Sequence, residues 1–108
     1  MKKRKAILVT FTIRSEMFKS NYERNCFFRG LYGWKQIIRK ANKKYVYRRE
    51  GILNKIPHIR VDESVFIILK KHFEEIERFL REWEDKVMWD TFEVLLDEEK
   101  CKKLLEVI

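Results

Sequence analysis

The stretch that decides the fold is Ser64 to Val87, SVFIILKKHFEEIERFLREWEDKV. It opens with five consecutive apolar residues, Val65-Phe66-Ile67-Ile68-Leu69. They are mostly β-branched or aromatic, the pattern of a central strand or one covered on both faces. Lys70 and Lys71 end the run, and from Phe73 the apolar period changes from two to about 3.6. Phe73, Ile76, Leu80, Trp83 and Val87 then fall on one helical stripe. Glu74, Glu75, Glu77, Arg78, Arg81, Glu82, Glu84 and Asp85 take the opposite face. A covered strand feeding straight into an amphipathic helix is half of an α/β sandwich.

Toward the N-terminus, Ala6 to Ile13 supplies a second strand. Ile7, Val9, Phe11 and Ile13 alternate with Leu8, Thr10 and Thr12, which gives one apolar face for helices and one open face rich in Thr. Lys2 to Lys5 read as a basic arm in front of it. Ser20 or Asn21 is the expected N-cap of a helix running through YERNCFFRGLYGWKQIIRKA. Phe27, Leu31, Trp34 and Ile38 share one stripe of that helix, and Arg24, Phe28, Lys35 and Arg39 form a second, basic stripe beside it. Gly30 and Gly33 each cost about 1 kcal/mol in a helix interior. Either the helix breaks at Tyr32-Gly33 and resumes, or Gly30 admits a close neighbour.

Asn42-Lys43-Lys44 reads as a turn, and Tyr45 to Arg49 as a short strand with Tyr45, Tyr47 and Arg49 on one face. Ile52 to Ile56 is ambiguous and stops at Pro57, because proline disfavours a helical residue before it. His58 to Val61 is expected to be extended, with Asp62-Glu63 a turn into the central strand. Beyond the long helix, Met88 to Leu96 favours a strand. Asp97 then caps a terminal helix whose apolar face holds Cys101, Leu104, Leu105 and Ile108. The element order predicts one α+β domain over residues 1–108, a ferredoxin-like βαββαβ sandwich with an extra C-terminal helix. The alternative is a winged helix, with residues 50–56 a short helix and 58–69 the wing hairpin.

Hydrophobic residues at 45% exclude a disordered chain despite 39% charge. No apolar run approaches the roughly 20 residues that span a bilayer, and the basic N-terminus lacks a small-residue cleavage site. The expectation is a cytoplasmic protein with no membrane partner. Cys26 and Cys101 are too few for a disulfide framework and are expected as buried free thiols. Scarce Gln beside abundant Lys, Glu, Arg and Ile is a thermophile-like composition.

The formal net charge of +8 conceals a segregation by sign. Residues 1–60 hold 17 Lys+Arg against 3 Asp+Glu, a net of +14, whereas residues 61–108 hold 8 against 14, a net of −6. Such asymmetry points to a surface that meets a polyanion. Tyr45 and Tyr47 interleaved with Arg48 and Arg49 suit base stacking and phosphate contact together.

Catalytic signals are sparse. Gly30, Gly33 and Gly51 match neither a P-loop nor a dinucleotide fingerprint. Cys26, His58, His72 and Cys101 lack metal-ligand spacing, so neither metal nor cofactor is expected. The helix carboxylates read as a solvated face paired with basic residues at helical spacing. The acids outside that face include Glu16, Asp90 and Glu93, a possible metal-dependent nuclease set. An RNA-recognition motif has the same element order, but Leu8, Thr10 and Thr12 offer no stacking aromatic and the central strand offers at most Phe66.

These readings give a small, non-catalytic nucleic-acid-binding protein for DNA or RNA that works mainly through phosphate contacts. Its expected surface is Arg24, Phe28, Lys35, Arg39, Tyr45, Tyr47, Arg48 and Arg49. The alternatives are the nuclease and a protein-interaction module whose basic half meets an acidic partner. A homodimer through the open Thr face or the terminal helix is also expected.

LVTFTI, ERNCFFRGLYG and SVFIILKKHFEEIERFL together resemble a series found in one family. This is the small ferredoxin-like subunit of the CRISPR spacer-acquisition machinery, with its related toxin-like nucleases. Those proteins carry an Asp near the end of the first strand, where this chain has Thr12, and they lack the long insertion between Gly33 and Ser64. The resemblance covers about half the chain and, without that Asp, implies binding without cleavage.

Overall fold

The alternation in Arg4–Ile13 produces β1, a strand with partners on both edges and apolar side chains on both faces. The computed structural model describes residues 3–105, with side chains as far as Leu104. β1 is followed by a 3-10 turn at Ser15–Met17, α1 (Asn21–Tyr32), β2 (Trp34–Lys40), β3 (Lys43–Arg49) and a second 3-10 turn at Ile52–Lys55. Then come β4 (His58–Asp62), β5 (Val65–Ile68), α2 (Phe73–Arg81), β6 (Val87–Leu96) and α3 (Glu98–Leu105).

The fold is mixed α+β. Its main sheet has the order β4-β5-β1-β6, and all neighbours are antiparallel. β1 therefore runs parallel to β4, and β5 parallel to β6. Each connection, one carrying α1 and the other α2, crosses an intervening strand. No helix among the described residues is long and apolar enough to cross a membrane.

One face of the sheet contributes Val9, Phe11, Phe66, Ile68 and Val87 to the main core, where Phe27 and Leu31 of α1 and Ile76 and Leu80 of α2 cover them. Phe27 is the hub of its aromatic packing. Its ring centroid lies 5.5 Å from Phe11, 5.2 Å from Phe28, 5.6 Å from Phe79 and 5.5 Å from Trp83. Gly30 makes room for this cluster, since a Cβ there would stand 3.0 Å from the Phe79 ring. The close-neighbour reading of Gly30 is thus correct, while Gly33 ends the helix.

The opposite face is covered at one end by α3, whose Cys101 and Leu104 are buried against Ala6, Ile67 and Leu96. The terminal helix folds back over its own sheet, so Cys101 and Leu104 are core rather than an exposed interface. The Leu105 side chain and Ile108, expected on the same stripe, lie outside the described residues. Both cysteines are free, Cys101 buried and Cys26 only partly so. Further along this face Met88 and Phe92 stay exposed.

Several other expectations change. α2 stops at Arg81, and Trp83 and Val87 are not in it. Glu82, Trp83 and Glu84 donate their N–H groups to carbonyls three residues back, which tightens the chain beyond a true helix. Lys86 and Val87 then both donate to the Trp83 carbonyl at 2.8 Å, and Val87 opens β6. Trp83 still reaches the core because these tighter turns continue the helix direction. Arg4 and Lys5, read as part of a loose basic arm, pair with Leu96 and Leu95 inside β1; Lys2 lies outside the described residues. The winged-helix alternative is right about a short helical turn at Ile52–Lys55 and a hairpin at β4–β5, but α1 is the one α-helix before that hairpin among the described residues, so no helix-turn-helix forms. Phe66, considered for base stacking, is fully buried on the helix-covered face, and the aromatic on the other face is Phe92.

The largest correction concerns residues 34–40. They form β2, not a continuing helix, and pair with β3 in a separate two-stranded sheet. Gly33 at φ 80° turns the chain out of α1 after its N–H closes on the Arg29 carbonyl at 2.8 Å. Ala41 and Asn42, with φ 44° and 67°, make the tight reversal at the tip, one residue earlier than expected. Among the described residues the ribbon makes no extended contact with any other element. A radius of gyration of 16.2 Å, against about 13 Å for a compact chain of this size, reflects that projection.

The two legs of the ribbon leave the domain through one narrow crossing. A Cβ on Gly51 would lie 2.3 Å from the Gly33 nitrogen and 2.6 Å from the Leu31 carbonyl, so no side chain fits. Asn54 Oδ1 closes the crossing by accepting the Gly51 N–H at 2.6 Å. Gly51→Ala is therefore expected to lower unfolding free energy by about 2–3 kcal/mol, read from urea denaturation.

α1 is fixed at its start by Ser20, whose Oγ accepts the Glu23 N–H at 3.2 Å. The Glu23 carboxylate accepts from Lys86 Nζ at 2.6 Å and from the Lys19 N–H at 3.1 Å, tying the helix start to the entry of β6. These bonds, led by the one from Lys86, hold the Glu23 pKa below its ordinary 4.5. Their stabilisation is complete above that value and is lost as pH falls through the lowered folded-state pKa. Melting curves from about pH 7 to about pH 3 should show a steeper acid loss in the native chain than in Glu23→Gln, which keeps the shape but not the charge.

Candidate nucleic-acid interface

Sixteen residues, 34–49, carry seven Lys+Arg and no Asp or Glu. The register sorts them onto two faces. One face carries Trp34, Gln36, Ile38 and Lys40 opposite Arg49, Tyr47, Tyr45 and Lys43. The other carries Lys35, Ile37 and Arg39 opposite Arg48, Val46 and Lys44. Every residue of β3 is exposed, and in β2 Lys35, Ile37, Arg39 and Lys40 are as well.

Six of the eight expected contact residues thus meet on the ribbon, but on opposite faces. Tyr45, Tyr47 and Arg49 lie on one, and Lys35, Arg39 and Arg48 on the other. Arg24 and Phe28 remain on α1, with the guanidinium 5.9 Å from the ring centroid. The single helical stripe joining Arg24 and Phe28 to Lys35 and Arg39 does not exist, because Gly33 ends the helix between them.

Between ribbon and helix the structure adds residues that local spacing did not reveal. The Arg29 guanidinium lies 4.1 Å from the Trp34 ring and that of Arg60 3.9 Å from the Tyr32 ring. With Arg49 over Tyr47 at 5.6 Å, four arginine–aromatic pairs link the domain to the ribbon. Three shallow hollows follow them. One of about 190 Å³ at the ribbon base includes Trp34, Lys35, Arg48 and Arg49. One of about 360 Å³ includes Arg29, Tyr32 and Arg60. One of about 270 Å³ includes Arg24, Phe28 and Thr12. Shared walls at Tyr32-Gly33 and at Phe28 and Glu63 make them one continuous track.

The Tyr32 hydroxyl donates to the Glu63 carbonyl, and burial pushes its pKa up, so the phenol stays neutral beside Arg60. Gln36 Oε1 accepts from Arg49 Nε at 2.9 Å and from Nη2 at 2.7 Å, which orients that guanidinium along the ribbon. Lys35, Arg39, Lys44 and Arg48 have no ion-pair partner among the described residues.

A larger hollow of about 410 Å³ runs along α2 among Lys71, Glu74, Glu75, Arg78 and Glu82, where Arg78 pairs with Glu74. Of the acids considered for a nuclease, Asp90 and Glu93 do not converge, and Glu16 is exposed in the 3-10 turn Ser15–Met17. Asp90 and Glu93 are three residues apart on one strand and face opposite sides of the sheet. Glu93 pairs with Lys5 at 3.5 Å, and Asp90 accepts the Thr91 N–H at 2.8 Å. Among the described residues no group of three or more His, Cys, Asp or Glu converges to hold a metal ion.

No protein-family model, curated protein or solved structure matches the chain, so the geometry of this basic track is what its function must be argued from.

Proposed function

We propose that the protein binds nucleic acid without catalysing a reaction on it, gripping the phosphate backbone with the basic ribbon and the arginine–aromatic track at its base. The observation that carries this reading is the ribbon itself, with seven cations, no acid and both faces in water. A solvated edge strand needs only a few charges to avoid aggregation; a ribbon with charge of one sign on both faces is an electrostatic footprint for a polyanion. The order β4-β5-β1-β6, with two connections that each cross a strand, supports reading the body as ferredoxin-like. The ribbon is then an insertion in its first connection.

Binding is expected to fall steeply with salt, by roughly 10³-fold between about 50 and 200 mM if six or seven phosphates are neutralised. Replacing Lys35, Arg39, Lys44 and Arg48 together by Ala should flatten the slope of log K against log salt by about four while leaving the melting temperature of the body in place. Fluorescence anisotropy with labelled oligonucleotides reads both effects. An affinity that does not change with salt rules out the phosphate mechanism, and pull-down of an acidic protein that survives nuclease treatment supports a protein partner instead.

A further inference from the structure

We infer that the β2–β3 ribbon enters the major groove of B-form duplex DNA with the Lys35, Ile37, Arg39, Lys44, Val46 and Arg48 face toward the base edges. The inference rests on the nucleic-acid reading above and narrows it to one form of ligand.

The first argument is the cost built into the free ribbon. Three of its seven cross-strand pairs set like charges directly opposite one another, namely Lys35 with Arg48, Arg39 with Lys44, and Lys40 with Lys43. Such pairs destabilise a sheet, and no acid in residues 34–49 relieves them. A polyanion against the Lys35 face relieves the first two directly, while the third lies at the tip on the tyrosine face. A single extended strand of nucleic acid follows one edge, whereas groove walls present phosphates on both sides.

The second argument is fit. Two strands about 4.8 Å apart match the major groove of B-DNA, about 12 Å wide and about 8.5 Å deep, which admits a two-stranded ribbon. Seven residues per strand reach about 23 Å, so a ribbon lying along the groove with one face inward spans roughly seven base-pair steps of about 3.4 Å. The major groove of A-form RNA is deep and too narrow for side chains to read.

The third argument is which face leads. On the tyrosine face Arg49 is already held by Gln36 and Tyr47. On the other face the four cations have no ion-pair partner among the described residues, and they flank the Ile37–Val46 pair, whose residues are 51% and 54% exposed. An apolar pair between cations matches a groove floor with thymine methyls between guanine acceptors.

The test compares a duplex DNA, the duplex RNA of the same sequence and each single strand by anisotropy at one salt concentration. Further arms use the same DNA carrying glucosylated 5-hydroxymethylcytosine, which fills the major groove, and the plain duplex with netropsin in its minor groove. Duplex DNA should bind at least about tenfold tighter than duplex RNA, and glucosylation should cost about tenfold or more while netropsin changes little. Val46→Ala, a mild change on an exposed strand, should reduce preference for thymine over deoxyuridine in the duplex. Duplex RNA or a single strand bound as well as duplex DNA, or indifference to glucosylation, overturns the groove inference and leaves nucleic-acid binding standing. Binding to none of the forms overturns both.

Discussion

Gly33 and Gly51 approach more closely than any side chain permits, and that crossing decides how the molecule divides. On one side the chain closes a four-stranded sheet with its helices, and on the other it runs out as a two-stranded ribbon. The crossing depends on Gly33 at positive φ to leave α1 and on Gly51 to re-enter past the Leu31 carbonyl, with Asn54 bonding across it. The adjoining Leu53 and Ile56 are buried in the main core, so the exit point is fixed by the same packing that holds α1 on the sheet. A ribbon with no extended contact of its own keeps its direction only through such a base.

Electrostatics follow this division. The acids of the second half are spread along it, from Asp62 and Glu63 to Glu98 and Glu99, and on α2 they are met by cations, Arg78 pairing with Glu74 at 3.8 Å and Arg81 with Glu77 at 3.7 Å. These exposed pairs add little stability, but they cancel charge locally. The ribbon has no such cancellation. Seven of the 17 cations in residues 1–60 lie in its sixteen residues, so the long-range field of the molecule is shaped by one projecting element rather than spread over a surface.

The parts of the fold that were legible in the sequence are those where one period prevails. The β5–α2 junction was readable because five apolar residues in a row and a clean stripe from Phe73 to Leu80 admit few alternatives, and the caps at Ser20 and Asp97 follow from short-range bonding. Residues 34–40 read as helix from sequence because Trp34, Ile37 and Ile38 satisfy helical spacing about as well as strand alternation. The reversal at Ala41-Asn42 also lacks the Asn-Gly signature of a hairpin. Paired β-branched Ile37 and Ile38, four and five residues after Gly33, were the available sign of a strand. For the candidate interface, the basic and aromatic residue types were legible but their grouping was not. Arg29 with Trp34, and Arg60 with Tyr32, form through chain reversal at Gly33 and through the placement of β4, which no local period encodes.

The choice of aromatic rings as arginine partners has its own consequence. A carboxylate beside Arg60 or Arg29 would hold the guanidinium equally well and would neutralise it. A ring attracts the cation through its quadrupole while carrying no net charge, so the side chain is oriented without a direct ion pair, although Glu63 lines the same hollow as Arg29 and Arg60. Tyr32 serves this role only while its phenol is protonated. Burial and the bond donated to the Glu63 carbonyl both favour that form. Arg49 follows the same rule with a neutral amide, accepting orientation from Gln36 rather than from an acid. Along the track from Arg24 to Arg49, guanidinium groups are therefore held by neutral partners, rings and one amide, rather than by direct ion pairs.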